Sequence, residues 1–195
     1  LNWLISEGWD KLIQKHLRYG GKVIGICGGY QMLGQWIHDP DAIESTAGSS
    51  EAIGLLEMET TLTGDKTLRN VCGHTKVNEL PVKGYEIHAG VSSGNALKSP
   101  LFSIKHADVN IGTQAVHESA FNDGCINTDN NVMGTYIHGV FDTPELLEHL
   151  LAWSGLNEIN EFDYPAYREA QIDRLASEVE KVLPLDMLRS LLAIN

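Results

Sequence analysis

The run Gly25-Ile26-Cys27-Gly28-Gly29 has the spacing of a nucleophile set on a sharp strand-to-helix elbow. A side chain on such a turn takes unfavourable backbone angles. Glycine on either side removes the Cβ contacts that would block the turn or crowd an approaching substrate. The elbow places Cys27 at the C-terminal edge of a strand, where open α/β sheets hold their ligands. It also places Cys27 at a helix start, where dipole and free N–H groups favour thiolate over thiol. The N–H of Gly28 then becomes an oxyanion donor. The competing reading of Cys27 is a small buried hydrophobe, as most free cysteines are.

A thiolate that attacks an acyl carbon also needs a proton acceptor and donor, most often histidine. Of the eight histidines, His138 ends the strand-like Met133-Gly134-Thr135-Tyr136-Ile137 and is followed at once by Gly139. Those neighbours put its side chain on a sheet edge beside a loop. For any single histidine, a surface or hydrogen-bonded structural role competes with this one.

The elements that must position these groups follow from the apolar pattern. Leu1 to Tyr19 is helical in spacing, bent or broken at Gly8 and stopped by Gly20-Gly21. Lys22 to Ile26 lacks polar alternation, as a strand covered on both faces does, and points to a parallel sheet. A helix is expected from Cys27 to about His38, then a loop from Asp39 to Ser50. Strands are expected at Leu55 to Leu62, Val71 to Val77 and Lys83 to His88, divided by Gly64-Asp65 and by Pro81. Further strands are expected near Gln114 to His117 and at Val132 to His138, with a turn at Asn127 to Asn131. Pro144 opens a helix with Thr143 as N-cap, and another runs from about Tyr164 to Val182. In that last helix acidic residues lie mostly between Ile172, Leu175, Val179 and Val182, which suggests a solvated acidic face.

The chain has 195 residues and a net charge of −12. One domain spanning 1–195 is expected from the length. The negative charge disfavours nucleic acid and anionic membrane surfaces as partners. No apolar run approaches the ~20 residues of a bilayer-spanning helix, and the first residues show no signal-peptide pattern, so a soluble, cytoplasmic protein is expected. Cys27, Cys72 and Cys125 are far apart, odd in number and form no CxxC pair, so neither a disulfide framework nor a thiolate metal site is suggested. No histidine pair has the spacing of a zinc helix, and no metal is expected.

Gly25 to Gly34 (Gly-Ile-Cys-Gly-Gly-Tyr-Gln-Met-Leu-Gly), Gly84-Tyr85-Glu86-Ile87-His88-Ala89-Gly90 and Gly134-Thr135-Tyr136-Ile137-His138-Gly139-Val140-Phe141-Asp142 together resemble the glutamine amidotransferase domains of the cobyric acid synthase family. The resemblance spans nearly the whole chain with its motifs in order, and Arg168 to Ala176 is similar to the family's C-terminal helix. It implies a class I, triad-type amidotransferase of α/β, flavodoxin-like architecture. That architecture is a three-layer sandwich with a central, mostly parallel sheet and antiparallel additions. Carried over, Cys27 is the nucleophile toward the side-chain amide of L-glutamine and His138 its acid/base. Gly28 serves the oxyanion hole, and Gln31, Gly29, Tyr85 and His88 line the glutamine site, a structural hydrogen bond being the alternative for His88.

The resemblance also implies partners. In the family an ATP-dependent synthetase domain precedes this one and amidates corrin carboxylates. No G-x-x-x-x-G-K-[ST] phosphate loop occurs here, so ATP and Mg are expected on that domain and no cofactor on this chain. The family's Pro-Gly-Ser loop, which supplies a second oxyanion donor, is not found, and the chain is expected to be a fragment starting inside its domain. Many relatives carry a glutamate two residues after the catalytic histidine; here that position is Val140, as in the cobalamin branch. Asp142, Glu118 or a group from another domain is left to orient the ring. The cobyrinic acid diamide synthase domain is an alternative assignment, as are a related enzyme acting on another amide and a non-catalytic regulatory or docking domain.

Overall fold

The computed structural model describes residues 1–44, 46–107, 120–156, 163–183 and 185–192. The N-terminal helical pattern forms two pieces, α1 (Asn2–Ser6) and α2 (Trp9–Arg18). They are separated at Gly8, whose φ of 76° lies in the left-handed region that glycine enters without a Cβ penalty. Strand β1 (Val23–Ile26) follows, then Cys27 and a short helix, α3 (Gly28–Leu33).

The helix expected to continue to His38 stops at Leu33, and Trp36–Asp39 is a strand, β2. The N–H of Gln35 donates to Met58 O at 2.7 Å, and a Cβ on Gly34 would lie 2.8 Å from that same oxygen. The chain is thus drawn into sheet pairing at the glycine. β3 (Gly48–Glu51) runs antiparallel to β2, so the expected loop is shorter than Asp39 to Ser50.

The strands expected on either side of Gly64-Asp65 are one long strand, β4 (Glu59–Thr75), and the glycine marks only a register shift between Thr61 and Lys66 in its pairing with β5 (Pro81–Ser93). Pro81 begins β5, a position where no N–H is required of it. The hairpin connection forces this pair to be antiparallel. β6 (Phe102–His106) pairs with β4, and β7 (Phe121–Asp123) with β6. The strand expected near Gln114 to His117 lies outside the described residues. β8 (Cys125–Ile126) leads through the expected turn to β9 (Val132–Thr135), and after Tyr136 comes β10 (Ile137–His138).

Two sheets result. One has the order β1-β9-β8, and the other β10-β5-β4-β2-β3, with β6 also on β4 and β7 on β6. The fold is α/β, and the parallel pairing expected for β1 is found with β9. Among the described strands the only other parallel pair is β2 with β4, so a central, mostly parallel sheet is not what these strands form.

β9 is buried on both faces. Met133 enters an apolar cluster with Val71, Val82, Ile104, Ile137 and Leu146, while Val132 enters a second with Tyr30, Leu33, Leu56, Met58 and Cys125. Alternate side chains pointing to opposite covered faces explain the lack of polar alternation. Helix α4 (Pro144–Trp153) caps the first cluster with Leu146 and Leu150, although Thr143 makes no side-chain cap bond. Helix α5 (Tyr164–Val182) is capped instead by Asp163, which accepts from Ala166 N. α5 buries none of its residues, so its apolar stripe as well as its acidic face is exposed. A last helix, α6, spans Leu185–Leu192. Among the described residues no helix is long and apolar enough to cross a membrane.

Candidate active site

Cys27 is the one residue between β1 and α3, with φ 54° and ψ −117°. Positive φ in a non-glycine residue is a strained state that needs surrounding structure to hold it. That structure is visible on both sides. The Cys27 N–H donates to Thr135 O at 3.0 Å, extending the β1–β9 ladder, and its C=O accepts from Gln31 N at 3.1 Å, starting α3. A Cβ on Gly25 would sit 2.5 Å from Leu33 Cδ1 and 2.8 Å from Gly29 O, so the close return of α3 over β1 needs glycine there. Gly28 and Gly29 have a different reason, because a Cβ on either meets nothing within 4 Å. They leave the approach to the thiol open.

The thiol is half-buried and donates to Ile87 O at 3.3 Å, so it is not a core hydrophobe. Cys125 is the contrast: fully buried, it accepts from the Tyr30 hydroxyl at 3.2 Å, and burial pushes its thiol up. Burial likewise raises Tyr30 far above the ordinary phenol value.

His138 is placed by a different strand pairing, and its Nε2 makes no hydrogen bond to the Cys27 thiol, which is turned to Ile87 O. β10 pairs with β5 so that His138 is opposite Tyr85 and Ile137 opposite Glu86. The Tyr85 and His138 rings stack with centroids 4.9 Å apart and planes 6° from parallel. Nε2 of His138 is buried and has no hydrogen-bond partner. β5 is therefore the shared support, with Tyr85 against His138 and the carbonyl of Ile87 against the thiol.

His88, on the same strand, is placed differently. Its Nε2 lies 2.7 Å from Glu86 Oε1 and its Nδ1 3.2 Å from Gly90 O, with the ring stacked on Tyr136 at 3.9 Å. Both ring nitrogens of His88 are thus engaged by Glu86 and Gly90. Of the two histidines, only His138 has a nitrogen left for proton transfer. Gln31 is buried, and its Nε2 donates to Ala89 O at 3.2 Å and Tyr136 Oη at 3.4 Å. With Gly28 it lines a cleft of about 650 Å³ that also includes Met32, Ile37 and Asp39.

Sequence reasoning missed the polar layer beneath. Tyr136 Oη lies 2.6 Å from Ser92 Oγ. Asp123 accepts from the Thr135 hydroxyl and from Tyr136 N at 3.3 Å, fixing the chain between Cys27's neighbour Thr135 and His138. Burial pushes Asp123 up to about 6, its hydrogen bonds from Thr135 and Tyr136 opposing this. The only signal for Glu86 was its i, i+2 spacing from His88 on one strand face; nothing local marks Asp123. Of the expected orienting acids, Asp142 is held by Arg168 at 2.7 Å, and Glu118 lies outside the described residues. Among the described residues no three His, Cys, Asp or Glu side chains group as a metal site would require.

The model of the CobB/CobQ-like glutamine amidotransferase domain matches residues 1–146. This chain belongs to that family. Membership supports a glutamine-hydrolysing role for the amidotransferase domain, with glutamine as its substrate. The match contains the elbow at Cys27, the β5 segment from Tyr85 to His88, and β10 with His138.

Proposed function

We propose that this domain is the ammonia-supplying half of a cobyric acid synthase, working through Cys27 and His138. The observation that carries the reading is the positive φ of Cys27 at the junction of β1 and α3, on a turn that exposes its open side at Gly28 and Gly29. Glutamine is taken up over Cys27, beside Gly28 and Gln31. The Cys27 thiol gives its proton to His138, and Sγ bonds to the carboxamide carbon while the C=O electron pair moves onto oxygen. Gly28 N–H stabilises that oxyanion, with Gly29 beside it leaving room for the substrate. As the C–N bond breaks, His138 returns the proton to nitrogen, and ammonia leaves a γ-glutamyl thioester. His138 then takes a proton from water, whose oxygen attacks the thioester, releasing glutamate and restoring the thiol.

The ammonia is used by an ATP- and Mg-dependent synthetase domain to amidate a corrin carboxylate. The wording Tyr30-Gln31-Met32-Leu33 favours the cobyric acid branch over cobyrinic acid diamide synthase. Assaying the complete enzyme with each corrin separates them. For the chemistry itself, a glutamine-mimicking diazo ketone is expected to alkylate Cys27, with the adduct found by peptide mass spectrometry and absent in Cys27→Ala. Labelling at Cys72 or Cys125 instead, or none at all, overturns the site and favours a docking or regulatory domain.

A further inference from the structure

We propose that Tyr85 is a positioning residue for His138, its ring taking over the orienting work that a carboxylate does where Val140 stands here. The inference rests on the reading of His138 as acid/base. No acid is available among the described neighbours. Val140 is buried in the apolar cluster with Ile137 and Leu146. Asp142 is turned to Arg168, and Glu86, opposite Ile137, is bound to His88. The Tyr85 ring instead lies flat against the imidazole, 4.9 Å away and 6° from parallel.

Two backbone features bring the rings together. His138 and Tyr85 are register partners across β10 and β5. Next to Tyr85, Gly84 lets the strands close, since a Cβ there would lie 2.0 Å from His138 O. Stacking restricts rotation of an imidazole whose buried Nε2 has no hydrogen bond to fix the ring, which is the positional part of an acid's task. The electrostatic part follows when the ring takes the thiol proton. The imidazolium then faces the electron-rich π surface of a phenol, an attraction stronger for the cation than for the neutral ring.

The test compares Tyr85→Phe, Tyr85→Ala and His138→Ala by glutaminase kinetics and by ¹H NMR of the histidine rings. Tyr85→Phe keeps the π face and is expected to hold kcat within about twofold, while Tyr85→Ala lowers kcat about tenfold with KM for glutamine little changed. The ring protons of His138, displaced upfield by the stacked phenol, keep their position in Tyr85→Phe and move downfield in Tyr85→Ala. Should Tyr85→Ala unfold, Tyr85→Leu, which keeps bulk without a π face, serves in its place. Unchanged ring resonances, or a rise in KM alone, overturns the proposal, the latter making Tyr85 a glutamine contact. Loss of activity in His138→Ala with none in Tyr85→Ala defeats this inference alone. Retained activity in His138→Ala defeats the underlying reading.

Discussion

The backbone N–H of Cys27 donates to the carbonyl of Thr135 at 3.0 Å, so the strand that carries the thiol and the strand that leads to His138 end at the same level. From there the two chains diverge. Cys27 turns into α3, while Tyr136 carries its chain across to pair with β5 as β10. The two proposed reactive groups, 111 positions apart in the chain by their numbering (138 − 27), are thus referenced to one parallel ladder.

Gly84→Ala tests the support of His138. The added Cβ would meet a backbone oxygen, His138 O, at 2.0 Å, and backbone cannot move aside as a flexible side chain can. β10 must then leave β5. A loss of glutaminase activity on the order of a hundredfold is expected, since small misplacements of a reacting group cost that much. Thermal unfolding measured on the same sample should show a stable protein with a lowered Tm. Full activity in the variant contradicts the placement of His138 on β5.

Restoring an acid at the position other relatives use should fail here. Val140 is 2% exposed and packs among Ile137, Leu146 and Leu150. Val140→Glu buries a carboxyl without a partner, at a cost of roughly 3 kcal/mol. Urea unfolding should show the lower midpoint, and the glutaminase rate should not rise.

Asp123 gives a pH signature. Its carboxyl is raised from 3.8 to about 6 in the folded chain, chiefly by burial. The folded state holds the proton more tightly than the unfolded state, so between about pH 4 and pH 7 stability is lost as pH rises. Asp123→Asn cannot ionise and escapes this loss. The unfolding free energy of the variant minus that of the unaltered chain should therefore grow from pH 4 to pH 7, by on the order of 2 to 3 kcal/mol. A difference independent of pH, in urea titrations at pH 4, 5.5 and 7, would refute it.

Gln31→Ala removes the donor to Ala89 O and Tyr136 Oη. Stability should fall by about 1 to 2 kcal/mol, because a partly buried carbonyl loses its partner. If Gln31 also holds glutamine at the cleft, KM rises in parallel. A stability loss with KM unmoved assigns it to the scaffold alone.

Much of the local organisation was legible in the sequence. Gly8 interrupts the first helical pattern, Gly20-Gly21 ends it, and α5 spans Tyr164 to Val182 as its periodicity predicts. The elbow was legible because its requirement is local: Gly25 must admit Leu33 and Gly29, nearby in sequence. Where periodicity misled, a distant pairing decided. Trp36 and Ile37 continue the apolar spacing of α3, yet Met58 O draws Gln35 into sheet contact and Trp36–Asp39 pairs with Glu51 and its neighbours. Gly64-Asp65 reads as a break, yet the β4–β5 hairpin absorbs it as a shift of register.

The sequence by itself determined the types of chemistry available: a cysteine on a glycine-flanked turn, a histidine at a strand end, and no neighbouring acid at residue 140. Only the tertiary structure separated His138 from His88. His88 uses both ring nitrogens on Glu86 and Gly90, whereas Nε2 of His138 is left unpartnered against Tyr85. The reason is physical. Residue type fixes what a side chain can donate or accept, but its availability depends on which partners lie within about 3 Å, and strand pairing across long stretches of chain supplies those partners.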